Sequence, residues 1–111
     1  MKAVFLDFLT LGPGLNIDGL KNLLPELKIY DITSEDQVAE RIKDANIILT
    51  NKIELNDKLL SNCTSLNVIG LTATGTDNVD LEAAKSYGVA VCNIRAYCTQ
   101  SIDEHVFAFL L

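Results

Sequence analysis

A chain of 111 residues can bury about two-thirds of its unfolded surface, enough for one hydrophobic core and too little for two. Hydrophobic residues make up 49% and the net charge is −6, which excludes a disordered composition and leaves no basic surface for a phosphate backbone, so no nucleic-acid partner is expected. Asp7 interrupts any signal-peptide core and no apolar run approaches membrane-spanning length, so the expectation is a soluble, cytoplasmic protein with no membrane contact.

Lys2 to Asp7 reads as a largely apolar strand, followed by a loop from Thr10 to Gly14. The Gly12-Pro13-Gly14 turn has neither GxGxxG nor phosphate-loop spacing, so it is given no cofactor role. Asp18 is placed to cap a short helix that puts Leu20, Leu23 and Leu24 on one face, and Pro25 stops that helix. Leu27 to Tyr30 is the second strand. Ser34-Glu35-Asp36-Gln37 has the form of a capping box, and Val38, Ala39, Ile42 and Ala45 follow at helical spacing. Asn46 to Thr50 is the third strand, Asn51 to Leu55 a turn, Asn56 to Asn62 a helix, and Leu66 to Leu71 the fourth strand.

The stretch Thr72 to Asn93 then reads as tight polar turn, helix, glycine stop and strand. Asp80 is the helix cap, Glu82 suits the positive end of the dipole, and Gly88 supplies the left-handed residue before the strand Val89 to Cys92. An irregular segment from Asn93 to Gln100 leads to a second capping box, Ser101-Ile102-Asp103-Glu104, and an all-apolar run, Val106 to Leu111. A helix that is apolar on every side with no stop signal predicts a truncated chain that self-associates through this segment. Strands and helices alternate five times and the strands are continuous apolar runs. The fold expected is therefore α/β: three layers, a doubly wound parallel five-stranded sheet of flavodoxin-like order.

Ligands of such sheets gather beyond the carboxyl ends of the strands, which here means the loops Asp7 to Gly14, Thr50 to Ile53 and Thr74 to Asp77. Gly75, between Thr74 and Thr76, fits two readings: a residue that simply makes the turn, which spacing alone favours, or one that opens backbone N–H groups to an anion. Lys52 is either a solvated surface lysine or a positive charge beside that anion, and Asn51 is similarly placed. His105, the single histidine, sits within an apolar helix and reads as a packed or interfacial residue rather than a base. Cys63, Cys92 and Cys98 are odd in number and have neither CxxC spacing nor a His cluster, so they read as reduced structural thiols and no metal site is expected.

Ala73-Thr74-Gly75-Thr76-Asp77-Asn78-Val79-Asp80, the Ala83-Ala84 pair, Gly88-Val89 with Val91 and Asn93, and Ser101-Ile102-Asp103-Glu104-His105 occur in this order over most of the chain. In this the sequence resembles the N-terminal half of the D-isomer-specific 2-hydroxyacid dehydrogenases, nearest the glycerate dehydrogenase or hydroxypyruvate reductase branch. The resemblance implies a substrate-binding domain over residues 1–98 and the start of an interdomain helix over 99–111, with the nucleotide-binding domain absent. It implies that Thr74, Gly75 and Thr76 hold a substrate carboxylate on main-chain amides, with Asn51 and Lys52 beside it and Ser101 near the nicotinamide end of NAD. It further implies a homodimeric, NAD-dependent oxidoreductase acting on small 2-hydroxy and 2-oxo acids. The catalytic His, Arg and Glu of the family would fall beyond Leu111, so no catalytic residue is assigned in this chain, and the chain alone is expected neither to bind NAD nor to turn over. Asp103 and Glu104 depart from the Ala and Gln more usual in this branch.

The rival readings are non-enzymatic modules of the same topology. A receiver-type domain needs a phosphorylatable Asp at the end of the third strand, where this chain has Thr50-Asn51. A flavodoxin needs a hydroxyl-rich loop after the first strand, where this chain has Phe8-Leu9-Thr10-Leu11-Gly12.

Overall fold

The computed structural model describes residues 1–11, 18–72 and 78–93. Five parallel strands, β1 (Lys2–Phe5), β2 (Glu26–Ile29), β3 (Ile47–Thr50), β4 (Val68–Leu71) and β5 (Ala90–Asn93), form one sheet in the order β2-β1-β3-β4-β5. Four helices connect them: α1 (Asp18–Leu23), α2 (Glu35–Ile42), α3 (Asp57–Ser61) and α4 (Leu81–Ser86). This is the flavodoxin-like order expected from the alternation of elements.

Strand alternation divides the core in two. Val4, Leu6, Ile48, Ile69 and Leu71 pack with Val38 and Ile42 of α2, Leu60 of α3 and the Ala83-Ala84 pair of α4. Ala3, Phe5, Ile47 and Leu49 point the other way, toward Leu23 and Leu24 at the end of α1. Right-handed crossovers require this arrangement: the step from β1 to β2 runs opposite to the three later steps, so α1 lies on the opposite face from α2, α3 and α4. All four residues of β3, the central strand, are buried, which explains the uninterrupted apolar run.

Local chemistry sets the helix ends. The Ser34 N–H donates to Gln37 Oε1 at 3.0 Å, the expected half of the capping box, while the Ser34 hydroxyl donates to Asp36. Arg41, in the last turn of α2, donates to Ile32 O at 2.9 Å and lies 3.9 Å from the centre of the Tyr30 ring. Asn56 caps α3 by accepting from Leu59 N, and Asp80 caps α4 by accepting from Ala83 N at 3.0 Å. Gly88 has φ of 72°, the left-handed residue anticipated there.

Element bounds differ from expectation in small ways. β1 ends at Phe5 rather than Asp7, and Phe8–Leu11 is a turn of 3-10 helix rather than open loop. Asp18 opens α1 from inside the helix. Gly12 to Gly14, Cys98, His105 and the whole of 99–111 lie outside the described residues. No helix among the described residues is long and apolar enough to cross a membrane.

Candidate functional site

The strand order reverses direction about β1, so the crevice between the carboxyl ends of β1 and β3 is the place where an open sheet of this kind receives a ligand. Asp7 stands there, two residues past the end of β1 and 3% exposed. Its Oδ1 accepts from the Thr50 hydroxyl at 2.9 Å and from Asn51 N at 2.8 Å; its Oδ2 accepts from Lys52 N at 2.7 Å. Thr10 closes the arrangement. Its hydroxyl donates to Asp7 O at 2.7 Å and accepts from Asn51 Nδ2 at 2.9 Å. A buried carboxylate is tolerated only when donors replace its lost hydration. The ion pairs among the described residues, Met1 with Glu26 and Glu40 with Lys43, do not include Asp7, so amide and hydroxyl donors carry that task.

Of the predicted site residues, the structure thus brings Asn51 and Lys52 together at the switch point. Asn51 is half-buried with its amide group engaged by Thr10, whereas Lys52 is exposed. Thr74, Gly75, Thr76 and Ser101 lie outside the described residues. Both residues flanking 73–77 are nevertheless tied to the Thr50–Leu55 loop. On one side Thr72 N donates to Thr50 O at 3.0 Å; on the other Asn78 Nδ2 donates to Ile53 O at 2.9 Å and Leu55 N donates to Asn78 O at 2.7 Å. A parallel bridge between Leu55 and Val79 extends the second tie.

Asp7, Thr10 and Thr72 were not anticipated as site residues. Asp7 had a legible signal, a carboxylate closing an apolar strand in a parallel sheet. Thr10 and Thr72 had none, because a lone hydroxyl at a strand end is common in any loop. Thr72 Oγ1 is buried and has no hydrogen-bond partner among the described residues, the kind of orphaned group that a ligand or water satisfies.

Among the described residues, one cavity adjoins this arrangement and another lies apart from it. The first, of about 260 Å³, is lined by Lys52, Glu35, Glu54, Val38, Asn56 and Leu59. Its charged lining is two carboxylates against one ammonium, a balance that disfavours an anion there. A larger one, about 560 Å³, follows β2 and the C-terminal half of α2 and is lined by residues of both charges, among them Lys28, Glu40, Arg41 and Asp44. It lies away from the β1–β3 crevice. Among the described residues no three His, Cys, Asp or Glu side chains are grouped to hold a metal ion.

Residues 14–108 match the family model described as D-isomer specific 2-hydroxyacid dehydrogenase, catalytic domain. The chain belongs to that family. The dehydrogenase-family resemblance carried by Ala73 to Asp80 is therefore shown. The chain is 38% identical to the hydroxypyruvate reductase of Blautia hydrogenotrophica, over 100% of this chain and 35% of that protein. It is 36% identical to the glycerate dehydrogenase of Methylorubrum extorquens, over 98% of this chain and 34% of that protein. Among solved structures, the D-lactate dehydrogenase of Aquifex aeolicus complexed with NAD and lactic acid superposes with a TM-score of 0.70 at 29% identity, over 98% of this chain and 32% of that one. The chain spans about a third of the length of the curated relatives it matches.

Family membership removes the receiver and flavodoxin readings, and the geometry agrees. β3 ends on Thr50, whose hydroxyl is already committed to Asp7, so no phosphorylatable carboxylate stands at that position.

Proposed function

We propose that this chain is the substrate-orienting part of an NAD-dependent oxidoreductase that interconverts small D-2-hydroxy acids and 2-oxo acids of the glycerate and hydroxypyruvate type. The observation that carries the reading is the loop Asn51–Lys52, held by Asp7 at the one crevice where the strand order reverses. Thr74, Gly75 and Thr76 offer main-chain amides to the substrate carboxylate, with Asn51 and the Lys52 ammonium alongside. The ties from Thr72 and Asn78 to the Thr50–Leu55 loop support that juxtaposition. The division into a substrate-binding domain over 1–98 and the beginning of an interdomain helix over 99–111, with Ser101 near the nicotinamide, belongs to the same reading. So do a homodimer and a cytoplasmic location.

No GxGxxG occurs in the 111 residues, so they offer no phosphate loop for a dinucleotide, and Ser101 is the one residue read as near the nicotinamide. NAD would supply the hydride chemistry when bound. The contribution of this chain is to bind and orient. A carboxylate fixed by backbone donors and one cation presents the C2 carbonyl in a single direction, and such fixed orientation is worth several orders of magnitude in rate.

The test is NADH oxidation by the full-length protein containing this chain. Hydroxypyruvate and glyoxylate are expected to be reduced, and hydroxyacetone, in which a methyl replaces the carboxylate, to be reduced far more slowly. Equal rates with hydroxypyruvate and hydroxyacetone would contradict carboxylate orientation, and no reduction of any 2-oxo acid would contradict the activity.

A further inference from the structure

We propose that Asp7 is a positioning residue for substrate: its two carboxylate oxygens hold the successive N–H groups of Asn51 and Lys52 and thereby set where the Lys52 ammonium stands. This rests on the reading of Asn51 and Lys52 as substrate-binding residues.

Asn51 and Lys52 lie just where the sheet stops. Pairing between β1 and β3 ends at Phe5 with Leu49, extended by Leu6 N donating to Leu49 O at 3.0 Å. On the other side of β3, pairing with β4 ends at Thr50 with Leu71, and Thr72 N takes the last carbonyl, that of Thr50. Asn51 N and Lys52 N lie past both ladders. Each donates to Asp7, from 44 and 45 positions away in sequence. The carboxylate thus replaces the sheet for just the two residues proposed to face substrate.

The chemistry calls for a carboxylate rather than its amide. Oδ1 serves the Thr50 hydroxyl and Asn51 N, and Oδ2 serves Lys52 N. An asparagine keeps one acceptor oxygen, and its NH2 would face one of the two N–H groups, donor against donor. The side chain of Lys52 is exposed while its amide is tied to a group 3% exposed. One end of the residue is therefore fixed, and the other is free to reach a ligand. Thr10 holds the Asn51 side chain through the same residue, since its hydroxyl also donates to Asp7 O.

Steady-state kinetics of the full-length protein with hydroxypyruvate, together with inhibition by oxalate, test the proposal. Asp7→Asn is expected to raise KM for hydroxypyruvate and Ki for oxalate about tenfold, the loss of one charge-assisted hydrogen bond, with a much smaller change in kcat. Leu60→Ala, which truncates a buried side chain of α3 remote from the crevice, is the control: it lowers Tm without moving KM or Ki. Should Asp7→Asn fail to fold, Thr50→Val, nearly isosteric and lacking the hydroxyl bonded to Oδ1, is expected to raise both constants about threefold. KM and Ki within about twofold of wild type in the folded variants would overturn the positioning role, because a purely structural residue alters Tm and leaves the KM-to-kcat balance in place. A wild-type protein that reduces no 2-oxo acid would instead overturn the substrate-binding reading on which this one rests.

Discussion

A buried carboxylate that joins no ion pair among the described residues is stable because donors converge on it, and around Asp7 those donors are the Thr50 hydroxyl and two main-chain amides. Asn51 and Lys52 were legible from their place at the end of a strand; Asp7 showed only as a carboxylate closing an apolar strand, and its partners, backbone groups far along the chain, leave no spacing to read. The cysteines show the reverse case. Expected to be structural thiols, Cys63 and Cys92 are free and half-buried, and burial pushes both thiols up from their ordinary value. Cys63 also lies 3.5 Å from Leu59 O and 3.7 Å from Ile42 O. A folded-state value above the unfolded one means that the contribution of Cys63 to stability is fully present below the unfolded thiol pKa. It is lost as pH rises through the raised, folded value. Alkylation by iodoacetamide near pH 8.5, about the ordinary thiol pKa, should accordingly be several-fold slower at Cys63 in the folded chain than in urea. Equal rates in the two conditions would show that the thiol is not shielded.

At the scale of elements, the helices were legible wherever a cap and a face coincided. Ser34 and Gln37 announced α2, Asn56 through its position announced α3, and Asp80 with Gly88 bounded α4. Strand ends were less legible, since β1 stops at Phe5 although Leu6 continues the apolar run and both Leu6 and Asp7 are buried. Hydrogen bonding, not hydropathy, ends a strand: Leu6 N still donates to Leu49 O, and beyond it the Asp7 side chain, not its backbone, meets the β3 loop. The Gly88 stop can be tested by itself. A Cβ built there meets nothing within 4 Å, so any cost of substitution is that of the left-handed backbone alone. Gly88→Ala should cost about 1–2 kcal/mol and Gly88→Asn less, as read from urea midpoints. An alanine variant as stable as wild type would mean that the chain can leave α4 by another route.

At the scale of the whole molecule, alternation of continuous apolar strands with short capped helices sufficed for the sheet order, because right-handed crossovers leave few alternatives. What the order could not reveal is how the loops beyond the sheet are tied together. The ties from Thr72 N and Asn78 O to the Thr50–Leu55 loop use backbone groups that any sequence possesses, and only the Asn78 side chain, which donates to Ile53 O, adds a residue-specific bond. On the proposed function, one crevice, between the carboxyl ends of β1 and β3, receives the carboxylate of a 2-hydroxy or 2-oxo acid. Nitrogen-15 NMR of the chain titrated with oxalate addresses this most directly. The account predicts saturable shifts of the Asn51 and Lys52 amides together with those of Thr74, Gly75 and Thr76, and none along the cavity beside β2 and α2. Saturable shifts confined to residues such as Lys28, Arg41 and Lys43 in that cavity would contradict it.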